Sequence, residues 1–285
     1  GQLVEAGRYL SPAEKEKYQE YQRQESVPGP LAATPEPEHD ELNPPPAPPK
    51  EYRLTLGATV YLGTQGYELL AFETVDNRGF NLPAVPDEGK TEDGISIGND
   101  FTSDVQVRRA INLAIDRNEM IDNVLSGYGS PAYSVCDKMP WYNDAAQVGY
   151  DAVKAADILD KAGWVIGGDG IREKDGVRAS MTLMYPASDS VRQALAADTA
   201  NQLKEVGIEV KTEGVGWDTA YDRAQAEPLM WGWGAHTPME LYNIYHTMKE
   251  SGLAEYSPYA NETVDRYMDA ALASSDLEQS YERWK

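Results

Sequence analysis

Cysteine is all but absent: the 285 residues contain one, Cys136. An internal disulfide and a cysteine-built zinc cluster are therefore excluded, which suits a cytosolic protein or a disulfide-free exported one. Positive charge is also scarce, with 25 Lys and Arg against 47 Asp and Glu and a formal net charge of −22. No basic patch is visible, and an acidic surface repels phosphate backbones, so a nucleic-acid partner is not expected. No run of ~18 apolar residues occurs, so no segment reads as a membrane-spanning helix. A Gly-x-Ser-x-Gly elbow, a phosphate loop and paired histidines on a helix are missing as well. Acid pairs are plentiful, as the charge requires, and so say little for a carboxylate hydrolase. No motif calls for a cofactor. The chain starts at Gly1 without methionine or signal sequence and stops at Trp284-Lys285 inside an expected helix, which reads as a fragment.

What is present concentrates in residues 229–246, which hold two tryptophans, two glycines and two of the three histidines. In a strand, Trp231 and Trp233 point to one face. Gly232 and Gly234 then lie where something approaches the backbone closely. Pro238 turns the chain out after His236 and Thr237. The expectation is a buried strand with an aromatic wall and a polar rim at its carboxyl end, where ligands bind in open α/β sheets. The alternative is that the tryptophans are simply core.

Residues 1–50 form a polar, Pro-rich segment, including Pro44-Pro45-Pro46-Ala47-Pro48-Pro49, after a short helix starting at Ser11-Pro12. It cannot form a core and reads as a flexible tether or as a proline ligand. Residues 51–98 suggest short strands at 53–56 and 67–70, a turn at 75–80 and an extended connector from 82 to 98. A boundary is expected near Asn99. Asp104 caps a helix with Val107, Ala110, Ile111, Ala114 and Ile115 at helical spacing, and a second helical piece runs to Leu125. A loop spans 128–142. Residues 151–162 form an amphipathic helix with Val153, Ala156, Ile158 and Leu159 inward. Glycines around Ile171-Arg172-Glu173 predict a β-hairpin, since the alternating acids of a calcium loop are missing. From Ser180 the order is strand, helix, strand, short helix, strand, which implies parallel pairing. Two amphipathic helices close the chain.

Five stretches carry a resemblance. They are Asp104-Val105-Gln106-Val107-Arg108-Arg109-Ala110-Ile111-Asn112-Leu113-Ala114-Ile115-Asp116-Arg117; Ala155-Ala156-Asp157-Ile158-Leu159-Asp160-Lys161-Ala162-Gly163-Trp164; Gly168-Asp169-Gly170-Ile171-Arg172; Gln202-Leu203-Lys204-Glu205-Val206-Gly207-Ile208-Glu209-Val210; and Trp231-Gly232-Trp233. In this order the chain resembles the oligopeptide/nickel-type extracellular solute-binding proteins of ABC importers. The resemblance implies an α/β, periplasmic-binding-protein-like lobe with a parallel-rich sheet flanked by helices. Residues 99–285 would be an incomplete second lobe, and 51–98 the tail of the first lobe and the crossover.

It further implies a non-enzymatic receptor that takes a peptide-like or metal-chelate ligand in a cleft between two lobes and delivers it to a permease. Localisation would be extracellular or periplasmic, with a lipid anchor that this chain lacks. An acidic-site hydrolase on a similar lobe is the alternative. Peptide-binding relatives carry an aspartate shortly after the tryptophan, where this chain has Gly234-Ala235-His236-Thr237. A neutral histidine supplies no fixed charge, so simple peptide recognition is in question. The expected ligand-facing residues are Tyr133, Trp231, Trp233, His236, Thr237, Tyr245 and His246. His236 and His246 are either loop residues or donors to a chelated metal.

Overall fold

A computed structural model describes residues 74–285 apart from 235 and 250. The readings for residues 1–50 and the strands at 53–56 and 67–70 lie outside the described residues. The described residues belong to one compact unit.

In chain order, strand β1 (Asn77–Phe80) leads to a small hairpin of β2 (Gly89–Lys90) and β3 (Ser96–Ile97). Helices α1 (Val105–Ala114), α2 (Arg117–Leu125) and α3 (Ala152–Lys161) follow. Strands β4 (Val165–Ile166), β5 (Arg172–Lys174) and β6 (Val177–Arg178) form an antiparallel meander. Then come β7 (Ser180–Pro186), α4 (Ser190–Lys204), β8 (Glu209–Val215), α5 (Trp217–Arg223) and β9 (Met230–Trp233). Helices α6 (Met239–Tyr245), α7 (Glu262–Leu272) and α8 (Leu277–Trp284) close the order.

Strands β7 and β8 pair in parallel across the α4 crossover, with Ser180 opposite Glu209 and Pro186 opposite Val215. Just before β9, Leu229 makes a parallel bridge to Met184, and the Met184 N–H donates to the Pro228 carbonyl at 2.8 Å. The other edge of β9 pairs antiparallel with β1, Asn77 opposite Trp233 and Phe80 opposite Met230. The tryptophan strand therefore runs between β7 and β1, as its apolar sequence predicts for a covered strand.

Alternation along the strands sorts side chains to two faces. Leu183 and Met230 pack with Leu195 and Ala196 of α4 on one side. Met184, Leu229 and Trp231 pack with Ala220 of α5 and its capping residue Ala224 on the other. A third cluster joins α1, α3 and the foot of the sheet through Val107, Ile111, Leu159, Trp164, Leu203 and Ile208. Fully burying one such aliphatic side chain contributes about 1.5–3 kcal/mol. Arg172, almost fully buried, fastens the meander to this cluster. Its Nε donates to the Val206 carbonyl at 2.8 Å and its Nη1 to the Trp164 carbonyl at 2.6 Å and Asp160 at 2.5 Å.

Three sequence readings are corrected. Residues 75–80, expected as a turn, supply strand β1, because β9 offers an open edge that local propensity does not register. Val153, expected inward, is 83% exposed; α3 buries Ala155 in its place, together with Leu159 as expected. The stripe of α3 is therefore narrower than its sequence suggests. The segment 82–98, expected as an extended connector, instead folds back as the β2–β3 hairpin and lies on this same unit. Pro83 accepts from the Thr102 hydroxyl at 2.7 Å, and the Gly98 N–H donates to the Gln225 carbonyl at 2.9 Å.

Candidate functional site

At the carboxyl end of β9 the alternation turns Trp231 and Trp233 to the α5 face. Trp231 is 4% exposed and forms a backing layer; Trp233 is half-buried. Around Trp231 stand Trp233 (ring centroids 6.1 Å apart), Trp217 (6.2 Å), Tyr221 (5.6 Å) and Tyr256, edge-on at 5.2 Å. Trp217 begins α5 directly after β8, and Tyr221 follows four residues on, so the two share a helix face. Their rings are 5.9 Å apart and both are exposed. The aromatic wall is thus wider than the two tryptophans of β9. Sequence reasoning missed Trp217, Tyr221 and Tyr256; an aromatic pair at i, i+4 at the first turn after a strand was the available signal for the first two.

The wall is polar at its margin but uncharged on its rings. Burial, then Glu255, Tyr221 and Glu240, pushes the Tyr256 hydroxyl up to about 12. Burial raises Tyr221 as well, followed by the charge of Glu255. Glu240 and Glu255 are themselves raised by burial. Neutral phenols beside partly desolvated carboxylates offer hydrogen bonds and stacking surfaces together.

The remaining expected residues fall in different places. His236 and Thr237 are exposed on the loop after β9. Tyr133 lies on the 128–142 loop with the Arg117 guanidinium 5.0 Å from its ring centroid. That loop reaches the strand end: the Asn77 side-chain amide, opposite Trp233 in register, donates to the Val135 carbonyl at 3.2 Å. Tyr245 sets its ring edge-on to Tyr259 at 6.4 Å. His246 belongs to the junction of α6 and α7. It stacks on Tyr242 at 4.2 Å, and its Nδ1 lies 2.9 Å from the Thr247 carbonyl. Its Nε2 is 3.3 Å from Asp269 Oδ1, an ion-pair distance without hydrogen-bond geometry. Among the described residues, no group of three or more His, Cys, Asp or Glu side chains is placed to hold a metal ion.

The opposite face of β9 shows why glycines stand there. A Cβ on Gly232 would lie 2.5 Å from Arg192 Nη2 and 2.8 Å from Arg78 Nη1; one on Gly234 would meet the Asp76 Cα at 3.2 Å. Close approach to the backbone is thus real, and arginines make it. Cys136 is buried, and burial raises its thiol while Ser134 partly opposes that, which leaves it inert as a nucleophile. The arrangement offers surfaces for holding a ligand.

Known proteins resemble this chain in sequence and in fold. The family model for bacterial extracellular solute-binding proteins, family 5 (middle), matches residues 45–254. Protein XP55 of Streptomyces lividans is 40% identical over 181 residues, covering 61% of this chain and 33% of the relative. Oligopeptide-binding protein AppA of Bacillus subtilis is 34% identical over 193 residues, covering 64% and 35%. The chain thus spans about a third of the length of these curated relatives. In three dimensions it superposes on NikZ from Campylobacter jejuni, solved in complex with Ni(L-His), with a TM-score of 0.65. That match has 21% identity and covers 80% of this chain and 45% of the other. With a lobe of the same fold and a family match over most of its length, the chain belongs to the bacterial extracellular solute-binding proteins, family 5.

Proposed function

We propose that this chain supplies one lobe of an extracellular solute receptor that holds a small ligand against the aromatic wall and hands it to an ABC importer permease. The observation that carries the reading is the continuous cluster Trp217, Tyr221, Trp231, Trp233 and Tyr256 at the carboxyl ends of β8 and β9. Tyr133, His236, Thr237, Tyr245 and, less directly, His246 form the rim in this reading. A first lobe closes the cleft, and a lipid anchor tethers the whole protein at the membrane. The ligand is peptide-like, as the name of AppA says of that relative, or a metal chelate, as for NikZ. The protein does no chemistry on it.

The test is thermal unfolding and tryptophan fluorescence of the whole protein with peptides and with nickel–histidine. A binder is stabilised by one of them and leaves it unconsumed. Trp233→Ala is expected to weaken that binding by about 1–3 kcal/mol. His236→Ala separates the ligand classes. Affinity for a directly ligated chelate falls sharply on that substitution, whereas peptide affinity does not. Turnover of a peptide or glycoside, or no ligand response from either probe, would overturn the reading.

A further inference from the structure

We propose that Arg78 and Arg192 form a second, anion-binding subsite on the face of β9 opposite the tryptophans, suited to a carboxylate-bearing ligand. Register sets Arg78 directly across from Gly232, so both project to the α4 face. Arg192, in the first turn of α4, reaches the same point from the helix. The two guanidinium groups meet where Gly232 leaves out a side chain, at 2.5 and 2.8 Å from the missing Cβ.

The hydrogen bonds show which part of this pair is unspent. Arg78 Nη1 donates to Asp76 at 2.5 Å and to the Asn77 carbonyl at 3.0 Å. Arg192 Nη1 is held by Asp189, which also caps α4 by accepting from the Arg192 backbone N–H at 2.9 Å. The other edge of the Arg192 guanidinium, Nε and Nη2, makes no hydrogen bond to a described residue, and Nε is buried. A desolvated donor without an acceptor is costly. That edge is the one a carboxylate engages with two parallel hydrogen bonds. The α4 amino terminus and the second guanidinium add favourable potential for an anion. A purely structural role, one local ion pair beside β1 and another in the first turn of α4, accounts for the two Nη1 groups and leaves the Nε–Nη2 edge unexplained.

The test is calorimetric titration of the 285-residue chain with succinate, and with succinamide as the uncharged control, in phosphate-free buffer of low ionic strength. Succinate is expected to bind and succinamide not. Arg192→Gln and Arg78→Gln should each weaken succinate at least tenfold. Arg192→Lys, which keeps the charge but not the two-donor edge, should weaken it too. Gly232→Ala, which places a methyl group where the guanidinium nitrogens meet, should also weaken it while removing no charge. Arg192→Lys and Gly232→Ala decide the matter if Arg192→Gln unfolds, as melting curves will show. No heat from succinate with the wild type, or equal affinity in wild type and folded variants, overturns the subsite. Because it lies on the other face of β9 from the aromatic wall, this result is independent of the receptor assay.

Discussion

Trp231 and Trp233 occupy one face of one short strand, yet their burial assigns them different work. Trp231 is enclosed by four aromatic rings, and its removal opens a large cavity behind them. Trp231→Ala should cost about 3–5 kcal/mol in chemical denaturation. The half-buried Trp233 should matter less for stability than for binding. Asp104 shows the electrostatic side of residue-level design. Burial works against its ionised form, but bonds from the Gln106 N–H, Trp164 Nε1 and Lys174 prevail and hold its carboxyl below the ordinary value of 3.8. A depressed carboxylate contributes stability that is complete above its unfolded value and is lost as pH falls through its folded one. Asp104→Asn, which keeps a side chain able to cap, should therefore lower stability at pH 7 by about 1 kcal/mol. It should also flatten the loss of melting temperature between about pH 5 and 3.

At the scale of elements, six of the eight described α-helix starts are set by short acidic or amide side chains, and the other two, at Gly216 and Pro238, have no side-chain cap. Asp104, Asp116, Asp151, Asp189, Asn261 and Asp276 each accept a backbone N–H from the first turn that follows. Part of the acidic composition is thus local architecture. Connections are specified just as locally at Gly98, where φ is +84° and a Cβ would fall 1.7 Å from the Pro86 carbonyl oxygen. Neither the dihedral nor the space admits a side chain. Gly98→Ala should cost more than about 2 kcal/mol, read as a shifted urea midpoint with an unchanged slope.

For the whole molecule, the sheet is assembled from segments far apart in sequence. Strand β1 comes about 150 residues before the β9 edge it covers, and Asn81 extends the link. Its side chain donates to the Tyr256 carbonyl at 2.8 Å and accepts from the Leu229 N–H at 3.2 Å. A chain begun at Leu82 would leave β9 with an open edge under its aromatic wall. It should melt about 5 °C lower or more, over a broader transition, than one begun at Glu68; equal, sharp transitions would show β1 to be dispensable.

The sequence by itself determined the helices from α1 to α4, the hairpin around Arg172 and the parallel β7–α4–β8 unit. Caps, helical spacing and turn glycines are local signals that neighbours in the chain can read. It also marked Trp231 and Trp233, because a tryptophan pair at strand spacing with one glycine between and another after is rare enough to stand out. Only the tertiary structure made residues 77–80 a strand, turned Val153 outward and joined Trp217, Tyr221 and Tyr256 to the wall. It alone brought Arg78 and Arg192 over Gly232. Each of these depends on which edge or face another segment leaves open, and such pairing over long separations leaves no periodicity in the residues that take part.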